Sequence, residues 1–209
     1  MDFLKLHTFV VVNAFSVLTV VGQLIALIVL MILLKEFFAK SETKLGKWIV
    51  KHGMPLMLLG AFLATVGSLF FSDIAGWTPC KDCWLQRIVM YPQVLILAIA
   101  LWKQDRNAAW YIIALSIIGI VLSAHHYGEQ LEAAMTPVPD ANGVNVLLKP
   151  CDGSGVSCAA TQIHFTFGYI TLPMMALTVF LLNALTSAMM IVAQKRESLL
   201  DRIRNKLQR

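Results

Sequence analysis

Four cysteines are the residues of this 209-residue chain best suited to chemistry, and they come in two pairs. Cys80 and Cys83 are spaced Cys-x-x-Cys within WTPCKDCWLQRIVMYP, and Cys151 and Cys158 stand in PCDGSGVSC. A closely spaced dithiol is suited to exchange with other thiols. Arg87 lies one helical turn beyond Cys83, just inside an apolar stretch. A guanidinium there is costly and marks a functional site by default. Together these residues suggest electrons passing between thiols and something dissolved in lipid.

Local context separates the two pairs. Thr78-Pro79 predicts an N-cap and first helical residue, which places Cys80 and Cys83 in the first turn of a helix. Free backbone N–H groups and the helix dipole favour a thiolate there. Positions 80, 83 and 87 share one helical face, so Arg87 lies below the pair, and Tyr91 continues that face into the lipid, where it can flank an aromatic headgroup. Glycines and serines fill the segment between Cys151 and Cys158, so the second pair is expected in a mobile loop that a soluble partner reaches. Exchange is favoured over a purely structural bridge, which usually closes a longer loop around packed residues. The even count implies two dithiol–disulfide couples, although four cysteines allow three connectivities.

The elements that must position these residues are membrane helices. The chain is 58% apolar and 14% charged, with mean hydropathy +0.71, against about 25% charged residues in soluble domains. Five segments, 8–34, 54–74, 85–102, 109–127 and 166–193, are long and apolar enough to span a bilayer. The remainder is too short for a soluble domain, so the expected fold class is all-α, a polytopic helical bundle. The first segment reads as a retained helix and not a signal peptide, because its apolar stretch is long and no small-residue cleavage site follows. Pro92 and Pro173 read as local bends within spans. Basic residues cluster in the 35–53 connection (Lys35, Lys40, Lys44, Lys47, Lys51), at Lys103 and Arg106, and after residue 194, whereas the two cysteine loops carry only Lys81 and Lys149. The positive-inside rule then places the N-terminus outside, the C-terminus in the cytoplasm and all cysteines on the extracytoplasmic side, where disulfides persist. The net charge of +5 reports this topology and does not point to nucleic acid. Leu199, Leu200, Ile203 and Leu207 recur at helical spacing among basic residues, which reads either as an amphipathic helix on anionic lipid or as a solvated end.

The stretch CKDCWLQRIVMYP, with Gln86-Arg87 and Met90-Tyr91-Pro92 in register and a second cysteine pair in the next outer loop, resembles the disulfide bond formation protein B (DsbB) family, in its BdbC-like branch. The resemblance covers roughly residues 54–193. It implies a four-helix core of membrane thiol–disulfide oxidoreductases in the cytoplasmic (inner) membrane. It also implies the partner and cofactor: a DsbA-like protein of thioredoxin fold is reoxidised and the electrons pass to a quinone, ubiquinone or menaquinone. Carried over by position, Cys80 and Cys83 match the quinone-coupled pair, with Cys83 the thiolate facing the quinone. Cys151 and Cys158 match the partner-facing pair, with Cys151 forming the mixed disulfide. Arg87, Gln86, His126 and Tyr91 are the expected cofactor-binding residues, His126 being preferred over its neighbour His125. The implied organisation is an extra N-terminal helix and cytoplasmic loop over 1–53, the four-helix core over 54–193 and a basic tail over 194–209. Three departures stand out: the extra helix itself, Asp82 between the first two cysteines, and a short spacing between the second two.

Two other readings belong to different classes. A zinc site built from the four cysteines has one suitable half, Cys80 and Cys83, and one poor half, so no metal is expected. A polytopic membrane transporter or scaffold with merely structural disulfides should carry paired ionisable groups at mid-membrane, and only Arg87, near an edge, is of that kind.

Overall fold

The computed structural model describes residues 2–39, 42–136, 148, 150, 155–160 and 166–208. Cys151, and with it Lys40, Lys149, His164 and Arg209, lies outside the described residues. Helix α1 runs Asp2–Ala39, α2 Lys44–Leu69, α3 Lys81–Lys103, α4 Ala108–Met135 and α5 Leu172–Leu207. All five are long and apolar enough to cross a membrane. The protein is a multi-pass membrane bundle, because in lipid a helix satisfies its own backbone polar groups. Its outer face carries large apolar side chains such as Leu24, Met31, Ile88, Leu95 and Val121.

Small and polar residues hold the interior, as expected where lipid removes the hydrophobic drive between helices. Gln93 of α3 is fully buried; its Oε1 accepts from Asn183 Nδ2 of α5 at 2.9 Å and from Ser116 Oγ of α4 at 3.4 Å. A Cβ at Gly119 would collide with the Phe180 ring, so α4 and α5 approach closely only because that position is glycine. Helix α1 packs mainly along α5, where Gln23 Nε2 donates to Thr178 Oγ1 at 3.4 Å.

One end of the bundle is tied by charge. Arg106 pairs with Glu197 at 3.1 Å, and Gln194 Nε2 donates to the Arg106 carbonyl at 2.8 Å. Arg196 reaches the Glu36 carbonyl at 3.2 Å and Glu42 at 3.6 Å. The hydrogen bond from Lys47 is the main cause that holds the Glu42 carboxyl below the usual carboxylate range. Cys80, Cys83 and Cys158 lie at the opposite end.

Three local expectations are corrected. Cys80, and not Thr78, is the N-cap of α3: its backbone is extended and its Sγ accepts from Cys83 N at 3.3 Å, a sulfur in the role usually filled by a hydroxyl oxygen. Pro173 does not bend a span. The fifth span begins at Leu172, six residues later than its hydropathy suggests, with Pro173 in the first turn, where its missing N–H costs nothing. Residues 166–170 instead form a tight turn closed by two Thr166–Ile170 backbone hydrogen bonds, with Phe167 and Gly168 at positive φ. Finally, the basic tail is neither a separate surface helix nor a frayed end. It continues α5, whose 36 residues span about 54 Å against a hydrocarbon core of about 30 Å, so its last turns leave the membrane. At the far end of α2, Phe70–Ile74 widen into a π-turn that swings Trp77 onto Phe71, the rings stacked at 4.9 Å.

Candidate functional site

The start of α3 brings the first cysteine pair against three other elements. Cys80 Sγ donates to Cys83 Sγ at 2.9 Å, and both are free thiols. This hydrogen bond first, and burial second, hold the Cys80 thiol above the ordinary thiol range, so Cys80 keeps its proton and shares it with Cys83. From α4, His126 Nε2 lies 3.6 Å from Cys80 Sγ and 3.1 Å from the Cys158 carbonyl oxygen. Its Nδ1 lies 3.0 Å from Gln86 Nε2.

These contacts fix a tautomer. A carbonyl only accepts, so His126 Nε2 must carry a proton toward Cys158 O and Cys80 Sγ. The neutral ring then accepts at Nδ1, and the Gln86 amide donates. His126 is 1% exposed, so its proton is unavailable to bulk water. A void of about 20 Å³ between Cys80, Cys83, His126 and Ser157 is large enough for one water.

The described half of the second pair is packed here and is not presented outward as expected. Cys158 is disulfide-bonded and 2% exposed. Asp82, Glu129 and Cys158 bring an oxygen or sulfur each within 4.8 Å of one another, and Asp82 Oδ2 lies 3.5 Å from His125 Nδ1. Asp82 Oδ2 and Glu129 Oε2 are buried and make no hydrogen bond among the described residues. Cys80, Cys83 and His126 are likewise within 4.8 Å through their ligand atoms. That set can offer three positions to a soft cation, and closing the Cys80–Cys83 disulfide would remove two of them.

On its other side α3 borders a cleft of about 660 Å³ lined by α1, α2 and α5 as well. Cys83, Gln86, Arg87 and Tyr91 face this cleft, whereas Cys80 and His126 do not. Among the described residues Arg87 does not hydrogen-bond to a cysteine. Its Nε donates to Ser68 Oγ at 2.9 Å and its Nη2 to the Ser68 carbonyl at 3.0 Å, both on α2, and its guanidinium lies 5.0 Å above the Trp84 ring. Tyr91 Oη is buried without a hydrogen-bond partner among the described residues. The lining is otherwise mainly apolar, with Thr19, Thr178, Asn183 and Thr186 among its polar residues. An unpartnered phenol and a guanidinium beside a thiol at the mouth of an apolar cleft fit a flat, lipid-soluble carbonyl compound.

Of the residues singled out in the sequence, Cys80, Cys83, Gln86, His126 and Cys158 meet at one cluster, and Cys83, Gln86, Arg87 and Tyr91 meet at the cleft. Ser68 and Glu129 were not anticipated. The signal for Ser68 was a hydroxyl in an apolar span facing an arginine of the next helix. Glu129 offered a carboxylate one turn beyond His125.

Comparison with known proteins gives three further findings. A family model described as "Disulfide bond formation protein DsbB" matches residues 51–190. Disulfide bond formation protein C of Bacillus subtilis (strain 168) is 44% identical over 122 residues, 58% of this chain and 80% of that relative. A probable disulfide formation protein of Oceanobacillus iheyensis is 36% identical over 155 residues, covering 73% of this chain and 99% of its own length. No solved structure matches the chain. Helix α1 precedes the matched family segment entirely.

Proposed function

From the premise that the chain belongs to the DsbB family of disulfide bond formation proteins and is a membrane disulfide oxidoreductase, we propose that it reoxidises a DsbA-like thioredoxin-fold protein and passes the electrons to a membrane quinone. The observation that carries this reading is the division of labour within the first pair. Cys80 faces His126, which reaches the Cys158 carbonyl, and Cys83 faces the lipid cleft.

The reaction runs in four thiol–disulfide exchanges. A thiolate of the reduced partner attacks Cys151 of the Cys151–Cys158 disulfide, Cys158 leaves as thiolate, and the partner's second thiol resolves the mixed disulfide. The Cys158 thiolate then attacks Cys80 Sγ in the oxidised first pair; the Cys80–Cys83 bond breaks and Cys83 leaves as thiolate. Cys151 displaces Cys80 from Cys158, restoring the outer disulfide, and Cys80 takes up a proton. The hydrogen bond from Cys80 and the N-terminal dipole of α3 stabilise the Cys83 thiolate at the cleft. The His126 Nε2 proton, aimed at Cys80 Sγ and Cys158 O, steadies the sulfur that gains charge during exchange.

Arg87 and Tyr91 would hold the quinone carbonyls, and the apolar walls would exclude water from the thiols. A bound quinone supplies the two-electron, two-proton sink that closes the Cys80–Cys83 disulfide again. The compartments follow from charge, with the cysteine end extracytoplasmic and the basic end cytoplasmic.

The test is reconstitution. Purified protein, a reduced thioredoxin-fold substrate and a quinone should yield one quinol per substrate disulfide. Cys83→Ser should cut quinone reduction by about a thousandfold or more. A serine variant that reduces quinone at the normal rate overturns the assignment.

A further inference from the structure

The cleft is far longer than a quinone ring requires. It extends along α2 from Leu45 to Ser72, about 40 Å at roughly 1.5 Å per residue, which is at least the full depth of a bilayer core of about 30 Å. Its one charged group, Arg87, and its one thiol, Cys83, stand at one end, and the rest is mainly apolar with Thr178, Asn183 and Thr186 of α5 among the polar exceptions.

Helix α1 makes this groove a sleeve. It lies outside the matched family segment, and it packs along α5 while meeting α2 chiefly near two points. Toward the cysteine end, the Phe15 ring rests on Gly67 and meets Phe71 edge-on at 6.1 Å. Toward the basic end, Val29 of α1 and Ile49 of α2 share one buried cluster. Between these contacts Ile25 of α1 and Gly60 of α2 both line the cleft. A Cβ at Gly60 would be in ordinary contact with Val179 at 3.8 Å and Asn183 at 4.0 Å, both of α5, and no atom of α1 comes within 4 Å of it, so α1 and α2 do not close on each other here. By contrast Gly22, one turn before Ile25, is pressed against Thr178 and Leu182 of α5, which fixes α1 in place.

The geometry points to α1 as the outer wall of a binding site for the polyprenyl tail of the quinone whose ring sits at Cys83 and Arg87. This rests on the proposed function and adds a tail subsite to it. A tail is favoured over a phospholipid chain because the groove runs without a break to the thiol end, where Cys83 lines it beside Arg87.

The experiment compares two benzoquinones of identical ring, one bearing a long polyprenyl tail and one a methyl group. Their Kd values on the full-length reduced protein in detergent are read from quenching of tryptophan fluorescence, to which Trp77 on the cleft contributes. The tailed compound should bind about a hundredfold more tightly. Ile25→Trp on α1 and Gly60→Leu on α2 should each lower that ratio by about tenfold or more, by filling the cleft. Phe62→Ala, on α2 but away from the cleft and 51% exposed, should leave the ratio unchanged. A wild-type ratio near one overturns the tail site and leaves ring binding standing; the groove is then filled by lipid. A ratio lowered by Gly60→Leu and not by Ile25→Trp overturns the role of α1. If neither quinone binds, the proposed acceptor itself falls.

Discussion

Cys80 and Cys83 sit one helical turn apart and meet different surroundings. Around Cys80 are His126, Gln86 and the Cys158 carbonyl, a chain of polar contacts sealed from water. Beside Cys83 is a mainly apolar cleft whose lining includes Arg87 and Tyr91. The difference teaches how one dithiol can serve two phases. Disulfide exchange develops charge on sulfur and needs fixed dipoles and a proton within reach. A lipid-soluble acceptor needs a dry, open flank. The N-cap position of Cys80 supplies the split, since it lies half outside the helix and turns toward α4 while Cys83 follows the helical face toward α2.

Replacing His126 is the strongest way to break this comparison. In His126→Ala, transfer between the two cysteine pairs should fall about a hundredfold, because a positioned proton donor typically contributes that much. A single turnover of quinone by the pre-reduced first pair should fall by less than about fivefold, since the ring makes no contact with the cleft. Stopped-flow measurement of each half-reaction separates the two. Equal losses in both would show that the sides are not distinct.

The opposite side is broken at Arg87. Arg87→Gln should raise the quinone KM about ten- to hundredfold, the range expected for a charge-assisted contact of about 1.5–3 kcal/mol, with exchange between the pairs unchanged. Ser68→Ala removes only an anchor of the guanidinium and should raise KM about fivefold. If Ser68→Ala equals Arg87→Gln, the arginine acts by tying α2 to α3 and not by meeting the acceptor.

Much of the frame was legible because hydropathy needs no tertiary information: a run of apolar residues predicts a span whatever packs against it. The ends were less legible. The segment before Pro173 is apolar enough to extend the fifth span, yet a turn with Phe167 and Gly168 at positive φ stops it short, and only the fold decides that. The capping sulfur of Cys80 was missed because Thr78 is the stronger N-cap residue by type. At the site, the local spacing of Cys80, Cys83 and Arg87 correctly places them near one another, but the arginine spends its hydrogen bonds on Ser68, a residue of another helix. The link from Gln86 through His126 to Cys158 joins α3, α4 and the second loop, and nothing in linear spacing encodes it.

Asp82 offers the finest test of the polar side. It stands between the cysteines, mostly buried with 14% side-chain exposure, and one of its oxygens, one of Glu129 and the Cys158 sulfur lie within 4.8 Å of one another. When the partner reduces the second pair, Cys158 gains negative charge facing these carboxyl groups. At about 5 Å and an effective dielectric of about 20 the full repulsion is about 3 kcal/mol, of which only part is felt while the charge is still developing. Asp82→Asn keeps the shape and removes the charge, so release of the Cys158 thiolate should speed up about fivefold or more, and because the groups are buried the gain should change little with salt. Glu129→Gln should act in the same direction, and the double variant should gain less than the product of the two, because each carboxyl group already faces the other. Slower exchange in Asp82→Asn would mean that the carboxyl group accepts or donates a proton during transfer, and its charge would then be an aid to the polar side and not a brake on it.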